Sequence, residues 1–161
     1  MMKLIKLSEY FDIHNGVAKG GLEVVPHKFN DEYIFYIRPS NNYLGTFDGY
    51  VNRNNIKLNK IFPHETIYVS TNGEGSHTYS YVSSFEFVPN SDVVALISKV
   101  YLSIEEKLFY AKCITSNRYK FSYLRKPKYN RLKDILIPAK NSIPKFVYKK
   151  KNTHCFQRFF V

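Results

Sequence analysis

The order of segments along this chain predicts an α+β fold: one domain built on a strongly bent or barrel-like, mainly antiparallel sheet with a few helices. Three observations carry that reading. Short β-rich stretches separated by turn residues follow one another from residue 33 to residue 97, one strongly capped helix follows Ser103, and a last short apolar stretch stops at Pro138. A length of 161 residues suits a single core that buries about two thirds of the unfolded chain's surface.

The first stretch, KLSEYFDI at residues 6–13, allows one helical turn with Leu4, Leu7 and Phe11 on one side, and Asn15-Gly16 breaks it. Gly20-Gly21 is a loop. Strands are expected at 33–37 (YIFYI), which stops before Pro39, and at 46–51 (TFDGYV), after a turn at Asn41-Asn42. Two more, 66–70 (TIYVS) and 77–82 (HTYSYV), flank TNGEG, a turn by composition. Residues 85–88 and 93–97 complete the run. Ser103 and Glu106 then form an S-x-x-E capping box, and Ile104, Leu108, Ala111 and Ile114 follow on one face of a helix that ends near Asn117. A turn at Arg131-Leu132 precedes a closing strand at 135–137, which Pro138 terminates.

Charge narrows the partner. Twenty-four Lys and Arg against thirteen Asp and Glu leave a net charge of +11, which makes nucleic acid the first partner to test. The cations are concentrated: from Lys107 to Lys133 there is no acidic residue, and Arg118, Lys120, Arg125, Lys126, Lys128, Arg131 and Lys133 are interleaved with Tyr119, Phe121, Tyr123 and Tyr129. Arginine forks grip phosphates and read guanine edges, lysines add point charges, and tyrosines supply a flat surface. The alternation of Tyr119, Phe121 and Tyr123 with Arg118, Lys120 and Ser122 also reads as a half-buried strand with an aromatic inner and a basic outer face. A membrane is not the expected partner, because no apolar stretch approaches the roughly 18 to 20 residues of a spanning helix. Glu9 and Asp12 interrupt what a signal peptide would keep apolar, so the expected location is cytoplasmic.

Chemistry is sparse. Cys113 and Cys155 lie far apart, and His14, His27, His64, His77 and His154 are scattered without metal-ligand spacing, so no metal or other cofactor is expected. Gly73-Glu74-Gly75-Ser76 lacks the G-x-x-x-x-G-K-S/T of a phosphate loop and the G-x-G-x-x-G of a dinucleotide site. It reads as a hairpin turn whose glycines supply positive φ, with Asn72, Gly73 and Ser76 able to touch DNA. Asp92 with Glu105-x-Lys107 superficially matches the D…E-x-K of metal-dependent nucleases, but the two glutamates suit the first turn of a capped helix. There is no N-P-P-Y/F or D-P-P-Y/F motif for methylating a base amino group, and no recognisable Ser-His-Asp arrangement.

The order of segments resembles the target recognition domains of type I restriction-modification specificity subunits, and the related specificity subunits of some type II systems. The likeness runs through residues 7–13 with Asn15-Gly16, then 36–39, 70–76, 92–96, 105–110, 117–123 and 132–138, and covers roughly residues 3 to 138. It implies a non-catalytic protein that recognises a double-stranded DNA sequence for a methyltransferase subunit and, in complete systems, a restriction subunit. It implies a recognition domain at residues 1–140, with the DNA-binding set Asn72, Gly73, Ser76, Arg118, Tyr119, Lys120, Tyr123, Arg125, Lys126 and Lys128. Family members carry two such domains and long spacer helices, whereas residues 141–161 read as a basic tail or a replaced spacer. A half-subunit that pairs with its own copy, a truncated product and an exchangeable cassette all fit that departure. A metal-dependent nuclease and a general RNA-binding protein are the alternative functions.

Overall fold

Val93, Val94, Ala95 and Leu96 are apolar in succession, as in a strand covered on both faces, and all four are buried. In the computed structural model, which describes residues 1–73, 75–121 and 125–149, the other elements are arranged around this strand. In chain order they are β1 (Leu4–Lys6), α1 (Leu7–Tyr10), β2 (Phe11–Asn15), β3 (Tyr33–Ile37), β4 (Phe47–Asn52), β5 (Ile67–Ser70), β6 (Ser80–Val82), β7 (Phe87–Pro89), β8 (Val93–Ser98), α2 (Ile104–Ser116), α3 (Tyr129–Leu132) and β9 (Leu136–Pro138). The α+β class with mainly antiparallel sheets and a few helices is therefore observed. β2-β8-β5-β6 form a four-stranded antiparallel sheet, β4-β3-β7 a three-stranded sheet in which β3 and β7 run parallel, and β1 pairs with β9. Bridges from Val17 to Asn90 and from Phe62 to Phe87 bind the connecting segments to the second sheet.

Period-two alternation builds the layers. Ile67, Val69, Val94 and Leu96 pack with Tyr110, Ala111 and Ile114 of α2, while Tyr68, Val93 and Ala95 turn to the other side and meet Ile37, Phe62 and Phe87. The outer face of the three-stranded sheet (Ile34, Tyr36, Val51, Val88) is covered by Val17, Leu22 and Val24. The four-stranded sheet is thus held between a helix and a second sheet. Two large cores follow, one on each of its faces.

α2 starts as the capping box requires. The Glu106 backbone N–H donates to Ser103 Oγ at 3.3 Å, and the Ser103 backbone N–H donates to Glu106 Oε2 at 2.8 Å. Ala111 and Ile114 are buried as expected, but Tyr110, absent from the expected face, is also fully buried and donates its hydroxyl to Pro138 O at 3.0 Å. Three further readings are corrected. The one helical turn expected within residues 6–13 forms as α1, but it gives way to β2 at Phe11 instead of running on to Asn15-Gly16, because β1 and β2 on either side find partners far along the chain in β9 and β8. β6 begins at Ser80 rather than residue 77, because Thr78 sits at φ 70° and breaks the extended run. Residues 117–120 form a 3-10 turn that prolongs α2 and leaves Tyr119 81% exposed, so they are not a half-buried strand.

Packing continues past residue 140. Ala139 and Ile143 are buried, the Lys140 N–H donates to Tyr10 Oη at 2.9 Å, and Tyr148 donates its hydroxyl to Glu106 Oε1 at 2.9 Å. No helix among the described residues is long and apolar enough to cross a membrane.

Candidate nucleic-acid interface

Strand direction decides which loops meet. β8 is antiparallel to β2 and β5, pairing Val94 with Asn15 and Val93 with Ser70, so the chain after β2, the chain after β5 and the turn before β8 lie at one end. β3 and β7 are parallel and end together at Ile37 and Pro89, which adds the β3–β4 loop. Backbone and side-chain bonds tie the loops together. Val17 N donates to Pro89 O at 2.8 Å, Thr71 N to Asp92 O at 2.8 Å, and Ser40 N to Ser70 Oγ at 3.3 Å. Tyr36, whose pKa burial and then the Asp48 charge push up to about 12, donates its hydroxyl to Val17 O at 2.7 Å.

The β5–β6 loop is tightly built. Asn72 Nδ2 donates to Asp92 Oδ1 at 3.0 Å, Ser76 Oγ donates to Asn72 O at 3.1 Å, and the Ser76 and His77 N–H groups both donate to Gly73 O. Gly73, at φ 94°, takes a conformation that favours glycine, and a Cβ there would also displace Ser76 Oγ. Thr78 is buried at φ 70°, and its Oγ1 finds no hydrogen-bond partner among the described residues. A non-glycine residue in that region costs about 1–3 kcal/mol, so other contacts must hold the loop. They come from the last turn of α2 and the residues just after it. Arg118 donates from Nε to His77 O at 2.9 Å and from Nη2 to Gly75 O at 3.1 Å, with its guanidinium 4.2 Å from the Tyr79 ring centre. Ser80 N donates to Thr115 Oγ1 at 3.0 Å.

Cations ring this end. Lys19 Nζ lies 3.2 Å from Asp48 Oδ2 and Arg38 Nη1 4.0 Å from Asp48 Oδ1, so two cations share one largely buried carboxylate. Arg38 Nε also donates to Gly45 O at 3.2 Å, and Lys60 Nζ donates to Asn15 O at 2.7 Å. Arg118 and Lys120 follow the C-terminus of α2, where a positive charge offsets the helix dipole.

Of the residues singled out from the sequence, Asn72, Gly73, Ser76 and Arg118 are brought together. Asn72 and Ser76 point their polar atoms into the loop rather than away from it. Tyr119 and Lys120 are exposed on the next turn, with Lys120 Nζ 5.6 Å from the Tyr119 ring centre. Arg125 and Lys128 are exposed and Lys126 is half-buried on the approach to α3, where Lys128 N and Arg131 Nη1 both donate to Lys126 O. Tyr123 lies outside the described residues. Sequence reading missed Lys19 and Arg38 as members of this cluster. The only local signal was Arg38-Pro39-Ser40-Asn41-Asn42, an arginine at a strand end followed by turn residues.

The nuclease triad does not assemble. Asp92 precedes β8 and Glu105 follows its far end, and six strand residues span about 20 Å. Lys107 Nζ lies 4.0 Å from Glu65 Oε2, on a groove of about 620 Å³ that also touches Phe11, His64 and Tyr101 at the end of the domain opposite the loops. Burial pushes the Cys113 thiol up to about 11, away from a reactive thiolate. Among the described residues no three His, Cys, Asp or Glu side chains are grouped to hold a metal.

This architecture recurs in solved proteins. An S subunit of the type I restriction-modification system from M. genitalium superposes with a TM-score of 0.56 over 86% of this chain, at 15% identity. The HsdS subunit from Thermoanaerobacter tengcongensis gives 0.57 over 84%, at 13% identity. The fold is that of part of a type I S subunit. The match takes in 34% and 32% of those two chains, so this chain spans about a third of their length. The resemblance read from segment order is matched at the level of the fold. No protein-family model matches the sequence, and no curated protein does.

Proposed function

We propose that this chain recognises double-stranded DNA at the loop end of its sheets, as the specificity element of a restriction-modification system, and directs a methyltransferase subunit and an endonuclease subunit to the site. The observation that carries the reading is the convergence of the β2–β3, β3–β4, β5–β6 and β7–β8 connections at one end, with Lys19, Arg38, Lys60, Arg118 and Lys120 around them. Rigid strands presenting several loops suit base reading, because register must be set before edges can be compared. The likeness to S subunits supports the same conclusion.

In this reading Lys19, Arg38, Lys120, Arg125, Lys126 and Lys128 hold phosphates, and Tyr119 and Tyr123 flank them. Asn41, Gly73 and Gly75 present the reading edge, which Asn42, Asn72 and Ser76, whose side chains bond within their loops, shape from behind. The protein works in the cytoplasm, without a cofactor of its own, and pairs with a second copy if it acts as a half-subunit. A salt titration of duplex binding tests it. Five or six phosphate contacts give a slope of log K against log salt of about −5. A slope near zero would remove the polyanion from the account.

A further inference from the structure

We infer that Arg118 is a positioning residue for specificity, a latch that holds the β5–β6 loop in its reading shape, and is not itself a phosphate contact. The inference rests on the DNA-recognition reading and gives one residue of that site a distinct task. The side-on edge of a guanidinium, Nε with Nη2, is one of the two forks that can grip a phosphate or a guanine. In Arg118 that edge is already taken, by His77 O and Gly75 O, and its flat face lies over Tyr79. The loop it closes needs closing: Thr78 is held at φ 70° with its buried hydroxyl unpartnered among the described residues, and Gly73 and Gly75 add two more positive-φ positions. Arg118 is in turn fixed from behind. Asn117 Nδ2 donates to Cys113 O at 2.9 Å, and Thr115 Oγ1 accepts from Ser80 N. The position of α2 is thereby passed to the loop tip.

Arg118→Lys separates this role from phosphate binding, because lysine keeps the charge and loses the planar fork. Two readouts are taken on the full chain: selection from a randomised duplex library with a salt titration of the selected site, and hydrogen exchange of the free protein. The expected result is an unchanged salt slope, a loss of discrimination of about tenfold, and exchange at least about tenfold faster at Ser76, His77 and Thr78, while β8 and α2 amides hold. Tyr79→Leu, which removes the ring beneath the guanidinium, should move both readouts the same way and serves if Arg118→Lys does not fold. Unchanged exchange in the loop overturns the latch, whatever happens to DNA binding. Faster exchange with undiminished discrimination overturns the specificity role. If the wild-type protein selects no sequence, the recognition reading fails and the specificity role falls with it, while exchange still decides whether Arg118 latches the loop.

Discussion

Glu106 is the acidic residue on which the C-terminal part of the domain depends, and replacing it by alanine should be costly. Its carboxylate is 4% exposed and accepts from the Ser103 N–H at 2.8 Å, from the Tyr148 hydroxyl at 2.9 Å and from Lys140 Nζ, 3.5 Å away. Alanine removes half of the capping box, worth about 1 kcal/mol. It also leaves the Tyr148 hydroxyl without its acceptor, and because that residue is half exposed the low end of the range applies, about 1 kcal/mol. Lys140 is likewise part-exposed, so the loss of its ion pair adds only about 0–1 kcal/mol. The sum, about 2–3 kcal/mol, should lower Tm by about 5–10 °C for a chain of this size. Urea unfolding of Glu106→Ala, Tyr148→Phe and the double variant measures both the loss and the coupling. A single-variant loss below about 0.5 kcal/mol, or full additivity of the pair, would show that residues 139–149 are not anchored through this carboxylate.

Alkaline pH should destabilise the fold. Burial raises the pKa of Tyr36 to about 12 and that of Tyr68, Tyr81 and Tyr110 further still, so their contribution is full below about pH 10 and is lost as pH rises through the folded values; a urea midpoint flat from pH 8 to 11 would contradict this. Cys113, raised to about 11 by burial, should react with a thiol reagent at pH 8 much more slowly in the folded protein than the same residue does in urea. Gly73→Ala should cost about 1 kcal/mol or more and disturb the loop, read as altered sequence selection with the salt slope preserved. Lys128→Ala should weaken binding to every duplex alike and reduce the salt slope by about 0.9; a change at one base position only would mean that Lys128 reads sequence.

What could be read from the sequence was local. The S-x-x-E box announced α2 because a cap is a four-residue event, and 33–37 announced β3 because five β-formers in a row leave little choice. β9 was legible as a closing strand from its apolar run before Pro138, displaced by one residue, whereas β1 is three residues that pair Leu4 with Pro138 across almost the whole chain and carries no period that a window could detect. The same limit applies to the site. Arg118 stood out as a cation among aromatics, but its engagement with Gly75 and His77 depends on where α2 ends relative to a hairpin about forty residues earlier. Asp48 binding both Lys19 and Arg38 was invisible for that reason too. Asp92 and Glu105 looked like a pair because they are near in sequence, and the strand between them is what holds them apart.

The claim that the loop end faces DNA is tested most directly by titrating the labelled protein with a short duplex at low salt and following each amide. The expected shifts are concentrated in residues 16–24, 38–46, 71–79, 117–120 and 125–128, fading together as salt is raised. Shifts concentrated instead around His64, Tyr101 and Lys107, at the groove on the far end, would contradict it.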